Sequence, residues 1–118
     1  GLTLTGVFIN GALSPPPLEM RAGTKYRIRC MNITASHVNH FVRLAAGDQP
    51  VVWRNVAKDA IELPPEQVVV TDQALSLAVG ETRDFEFTPL EPGDLRVEIR
   101  LPNGSLRTAI DVRVRPAN

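Results

Sequence analysis

From Thr24 to Leu44, TKYRIRCMNITASHVNHFVRL, apolar and polar side chains alternate along the chain. Tyr26, Ile28 and Cys30 fall on one side of an extended backbone, and Lys25, Arg27 and Arg29 fall on the other. Successive side chains of a strand point to opposite faces, so this pattern marks a strand half buried against a core. Met31 and Ile33 then reverse the apolar side, and Thr34, Ala35 and Ser36 supply a turn. Val38, His40, Val42 and Leu44 begin a second alternating run. The expectation is a pair of long strands with shorter strands packed around it.

The rest of the chain follows the same period. Leu2 to Ile9 alternates and is rich in β-branched residues, and Asn10-Gly11 ends it with a turn signal. Pro15, Pro16 and Pro17 hold an extended crossover, because proline donates nothing to a sheet ladder. Further strands are expected at Leu18 to Arg21, Pro50 to Trp53, Gln67 to Val70, Leu75 to Val79, Thr82 to Phe87, Asp94 to Leu101 and Leu106 to Val114. Val56 to Asp59 reads as extended or coiled, and Ile61 to Glu66, with Pro64-Pro65, as a loop. Asn103-Gly104 is the strongest hairpin signal. No segment sustains a helical period. About eight to ten short strands, with turns roughly every ten residues, describe an all-β Greek-key sandwich or barrel. Residues 1–118 read as one domain.

Charge narrows the function classes. Thirteen Lys and Arg balance thirteen Asp and Glu, which gives no electrostatic reason to expect nucleic acid or an anionic membrane as partner. Eleven of the thirteen cations are arginine, the residue suited to ordered pairing with carboxylates. Arg27 and Arg29 stand side by side on the outer face, so at least one of Asp84, Glu86, Glu98 or Asp111 is expected to lie across from them. No run reaches the ~18 apolar residues of a membrane span.

Few residues offer chemistry. Cys30 is the single cysteine, which rules out an internal disulfide, and His37 and His40 are the only histidines. His37, His40 and Cys30 are therefore the candidate metal ligands, but an acid or a second chain would have to complete the site. Strand residues three apart point to opposite faces, so the two imidazoles converge only if the turn bends between them. Cys30 with His40 would serve as nucleophile and base only if the thiolate were exposed, and an inward strand position is a poor place for that. The plainer reading makes Cys30 a small core hydrophobe, one histidine a satisfied strand-start residue and the other a surface residue. No catalytic residues are assigned.

Taken in order, several stretches resemble a cupredoxin-like domain of the multicopper oxidases. They are Asn10-Gly11 with Pro15 to Pro17, LEMRAGTKYRIRCMNIT from Leu18 to Thr34, VAKD from Val56 to Asp59, and ELPP from Glu62 to Pro65. VGETRDFEFTP from Val79 to Pro89 and PGDL from Pro92 to Leu95 complete the set. The likeness spans roughly residues 2 to 114. Ala60 departs from the Asp-Gly that often ends the V-A-x-D-G segment of that family, which argues against a left-handed turn there.

The resemblance implies copper chemistry whose ligands are missing here. A type 1 copper site takes two His, one Cys and a weak axial Met, grouped near the last strand, and the trinuclear cluster takes His-x-His pairs. Nothing after Gly93 is His, Cys or Met, and no His-x-His occurs. What remains is similar to the copper-free middle domain of a three-domain oxidase. The resemblance thus implies no cofactor in this chain, copper on other domains of a longer parent, sister cupredoxin domains as partners, and a periplasmic or extracellular setting. The alternative is a free-standing sandwich that binds a protein or glycan through its loops. An excised domain should expose an apolar patch where its sisters dock; a free-standing module should not.

Overall fold

The computed structural model describes residues 2–9 (backbone only), 16–34 and 38–117. The expected turns at Asn10-Gly11 and at Ala35 and Ser36, together with Pro15, lie outside the described residues.

The chain forms two sheets packed face to face. Sheet one contains β1 (Leu2–Ile9), β3 (Lys25–Asn32), β10 (Thr82–Phe87), β6 (Trp53–Lys58) and β7 (Ile61–Glu62) in that order, with β8 (Val69–Thr71) also on β6. Sheet two contains β2 (Leu18–Arg21), β12 (Leu106–Arg115), β11 (Gly93–Arg100), β4 (His40–Ala46) and β5 (Gln49–Val51), with β9 (Leu75–Leu77) also on β4. Two pairings are parallel, β1 with β3 and β2 with β12. Among the described residues one 3₁₀ turn, Pro65–Gln67, interrupts the strands at the expected Pro64-Pro65 break. Among the described residues the all-β reading holds.

The organising stretch departs from expectation in two ways. First, β3 and β4 do not pair; they lie in opposite sheets. Second, the apolar side does not reverse at Met31. The pleat continues, so Asn32 and Thr34 point inward while Ile33 faces out. Polar groups can hold those inward positions because they are bonded. The Asn32 Nδ2 donates to the Leu77 carbonyl at 2.9 Å, and its Oδ1 accepts from the Thr34 N–H at 3.1 Å and Oγ1 at 2.8 Å.

Between the sheets lie Ile28, Cys30, Val42, Leu44, Trp53, Leu77, Phe85, Val97, Ile99 and Val112, all buried. Trp53 stacks on Phe85 with ring centroids 3.8 Å apart and planes 11° from parallel. Tyr26 sits beside them, and its Oη accepts the Arg21 N–H at 2.7 Å, tying β2 to β3 across the layers. Such a phenol contributes apolar area while its hydroxyl keeps a partner.

Ala60 corrects another expectation. β6 and β7 are joined by the two-residue loop Asp59-Ala60, and both residues have positive φ, 51° and 66°. A tight hairpin matched to strand twist requires this geometry. Asp59 tolerates it and ties the loop down, its Oδ1 accepting the Thr82 N–H at 3.0 Å. The Ala60 Cβ is therefore held where glycine would be relaxed, and the left-handed turn survives without the glycine.

Candidate functional site

Cys30 and His40 both face the core, from opposite sheets. Burial, reinforced by the Asp84 charge, pushes the Cys30 thiol up to about 12, so it is neither nucleophile nor ready thiolate ligand at neutral pH. His40 opens β4, and its Nδ1 lies 3.0 Å from the Asn32 Nδ2. An amide N–H can only donate, which makes Nδ1 the acceptor and puts the imidazole proton on Nε2. That Nε2 is buried and has no partner among the described residues. Burial, then the Arg107 charge, holds the His40 pKa low, with the Val38 backbone opposing. His40 is thus a neutral core histidine. His37 lies outside the described residues.

The fold suggests copper, and the described donors do not fit it. Among the described residues no three His, Cys, Asp or Glu side chains gather closely enough to hold an ion. Asn32, the next inward residue after Cys30, occupies the imidazole nitrogen of His40. The hairpin between β11 and β12 is closed by its own backbone, with the Gly104 N–H on the Leu101 carbonyl at 2.9 Å. It offers side chains from Pro102, Asn103 and Ser105, none of them a soft ligand.

Charge is concentrated on the two outer faces. On sheet one, Asp84 is fully buried beneath Arg27 and Arg29. Its Oδ2 accepts Arg27 Nε at 3.0 Å and Arg29 Nη2 at 3.1 Å, and its Oδ1 accepts Arg29 Nε at 2.9 Å. Arg27 also pairs with Glu62. Burial acts to raise the Asp84 carboxyl, but the bonds from Arg29 and Arg27 together outweigh it and hold the carboxyl below its usual range. The carboxylate expected opposite Arg27 and Arg29 is therefore Asp84. On sheet two, Glu98 is fully buried under Arg43, Arg96 and Arg100.

The remaining feature is an apolar groove of about 640 Å³ at the end of the sandwich where the chain crosses from β5 to β6. Val52, Val70 and Leu90 form its exposed lips, Leu90 being 84% accessible, and Trp53, Phe87 and Leu95 form its floor. Arg54, Glu86 and Glu91 stand at its rim. Sequence reasoning missed this groove because its residues come from four separate segments, each unremarkable alone. The one local signal was Leu90, a large apolar residue stranded in the Pro89 to Gly93 breaker cluster.

No protein-family model matches the sequence, and no curated protein does. Solved structures do match. A multicopper oxidase aligns with 96% of this chain and 44% of its own at 11% identity and a TM-score of 0.71. A copper-containing nitrite reductase from Thermus scotoductus aligns with 96% of this chain and 31% of its own, at 12% identity and a TM-score of 0.67. A blue copper oxidase from Nitrosomonas europaea aligns with 84% and 30%, at 14% identity and a TM-score of 0.63. At these identities the likeness establishes the fold. The chain is a cupredoxin-type sandwich similar to single domains of multicopper oxidases, and it spans less than half the length of these structures.

Proposed function

We propose that this cupredoxin sandwich is a copper-free, non-catalytic domain of a longer multicopper oxidase-type protein, and that it spaces and orients copper-bearing sister domains. The observation that carries the reading is the groove. A domain that works alone has no reason to leave Val52, Val70 and Leu90 around an open apolar floor, whereas a domain packed against sisters buries such a surface on assembly. Two facts support it. The aligned copper proteins carry more than half of their length outside the matched region. The described donors, Cys30 and His40, also suit a core rather than a metal site.

In this role the sandwich supplies rigidity. Its core fixes the two sheets, and the groove gives an adjoining domain an apolar seat with charges at the rim to set orientation. Substrate oxidation and the copper ions belong to the sister domains, in a periplasmic or extracellular compartment. Among the described residues no helix is long and apolar enough to cross a membrane. The test is the reading frame around this segment, followed by side-chain footprinting of the full chain it encodes. Flanking His-x-His and His-Cys-His segments are expected, with Val52 and Leu90 protected from labelling. Flanks without those segments, or a groove labelled as readily as any open surface, would overturn the assignment.

A further inference from the structure

The two outer-face networks differ in charge balance. On sheet one, Arg27 and Arg29 face two carboxylates, Asp84 and Glu62, and the sum is zero. On sheet two, three guanidinium groups share the single carboxylate of Glu98. Arg43 Nε donates to Oε1 at 2.5 Å, Arg100 Nε to the same oxygen at 3.0 Å, and Arg96 Nη2 to Oε2 at 2.6 Å. Asp111 stands directly across from Arg96 on β12 but forms no ion pair with it. Arg96 Nε is buried without an acceptor. The arginines keep only a fifth to a third of their side-chain surface in water. With Asp111 counted, local charge is three positive against two negative, and the three guanidiniums are partly desolvated.

We propose that this face is an oxyanion site, with Arg43, Arg96 and Arg100 as a three-sided seat for a tetrahedral oxyanion or a carboxylate. Glu98 fixes the seat from beneath. It consumes one or two donors of each guanidinium and aligns the planes, while other N–H groups of the three forks stay free for a ligand. Arg100 is braced further by its Nη1 bond to the Gly104 carbonyl at 2.7 Å. Guanidinium forks match the geometry of phosphate and carboxylate oxygens, and a preset orientation lowers the entropy lost on binding. A further negative group brings the cluster to neutrality, as Glu62 does for Arg27 on the other sheet. The site is independent of the apolar groove and of the role assigned to it.

Inorganic phosphate serves as the probe, titrated against the protein at constant ionic strength with chloride as the balancing ion. A ligand that binds only the native state raises the thermal midpoint. The expected result is a saturable rise with phosphate, reduced about tenfold or more in apparent affinity in Arg43→Gln/Arg100→Gln, given the loss of two charged forks. Arg27→Gln, in the balanced network, should keep the wild-type response. Competition by a hexaglutamate peptide, lost in the same double variant, would identify the natural anion as a carboxylate on a partner surface; phosphate response without competition would identify a free oxyanion. No rise in the wild type, or an equal rise in the double variant, would refute the site. If the double variant does not fold, phosphate-dependent shifts of the arginine Nε–H resonances in the wild type decide. Shifts confined to Arg43, Arg96 and Arg100 uphold the site, and their absence overturns it.

Discussion

Asp84→Asn tests whether the buried carboxylate on sheet one holds its arginines or merely accompanies them. The side chain is almost isosteric, so packing against Arg27 and Arg29 changes little. The chemistry changes a great deal. Asp84 accepts three hydrogen bonds through two oxygens. Asparagine keeps one oxygen and turns its amide N–H groups toward guanidiniums that can only donate. A hydrogen bond to a charged group contributes about 1.5–3 kcal/mol, and stripping one partner from a buried ion pair costs about 3–5 kcal/mol. Arg27 and Arg29 retain access to solvent, 17% and 39% of their side chains, and recover part of that loss as hydration. The expected destabilisation at pH 7 is about 2–4 kcal/mol, or a fall in thermal midpoint on the order of 10 °C. The pH dependence has a definite sign. Because the folded pKa of Asp84 lies below its unfolded value, its contribution is present above about pH 4 and is lost as pH falls through the folded pKa. Urea denaturation of both proteins at pH 7 and again near pH 2.5 measures this. The difference should be large at pH 7 and shrink in acid; a difference under about 1 kcal/mol, or one unchanged by pH, refutes the reasoning.

Three further outcomes are expected. Ala60→Gly should stabilise by about 0.5–1 kcal/mol, since it relieves about 1–2 kcal/mol of left-handed strain and gives back about 0.4–1 in unfolded-chain entropy; a loss of stability in denaturant melts would contradict the strain. Cys30 should resist alkylation in the folded protein and react on unfolding, and Cys30→Ser should cost about 1–3 kcal/mol for an unpartnered buried hydroxyl; rapid native labelling, followed by mass, would count against burial. Adding Cu(II) should give no intense visible thiolate-to-copper band, because Cys30 and His40 are committed to the core; a stoichiometric blue species that withstands chelation would show otherwise.

The strands were legible in the sequence because alternation is local. Tyr26, Ile28 and Cys30, like Val97 and Ile99, declare their side of the sheet within a few residues. Partners were not legible. β3 and β4 are consecutive and long, yet they belong to opposite layers, a choice made by strands far away in sequence. At Met31 side-chain type and pleat disagree, and the pleat prevails: Asn32 stays inward through bonds to Leu77 and Thr34. Asp84 and Glu98 sit on outer faces, as alternation required, and are nonetheless buried, because cross-strand arginines cover them. β6 also carries an extra residue, Val56, opposite the Asp84-Phe85 step of β10, and Asn55, Val56 and Ala57 are buried in succession there. No local pattern announces such a bulge.

The parallel pairing of β2 with β12 sets the order in which this sandwich can be completed. Leu18 lies against Val112 and Met20 against Val114, and the Ala22 N–H donates to the Arg115 carbonyl at 2.9 Å. Until Leu106–Arg115 is available, β2 has no neighbour in its sheet and β11 lacks one of its two. Joining segments so distant in the chain incurs its loop-closure cost before any contact rewards it, which places the domain among slow, millisecond-to-second folders. During synthesis the sheet cannot close until its last strand has left the ribosome, and the bare edges of β2 and β11 stay open to other strands until then.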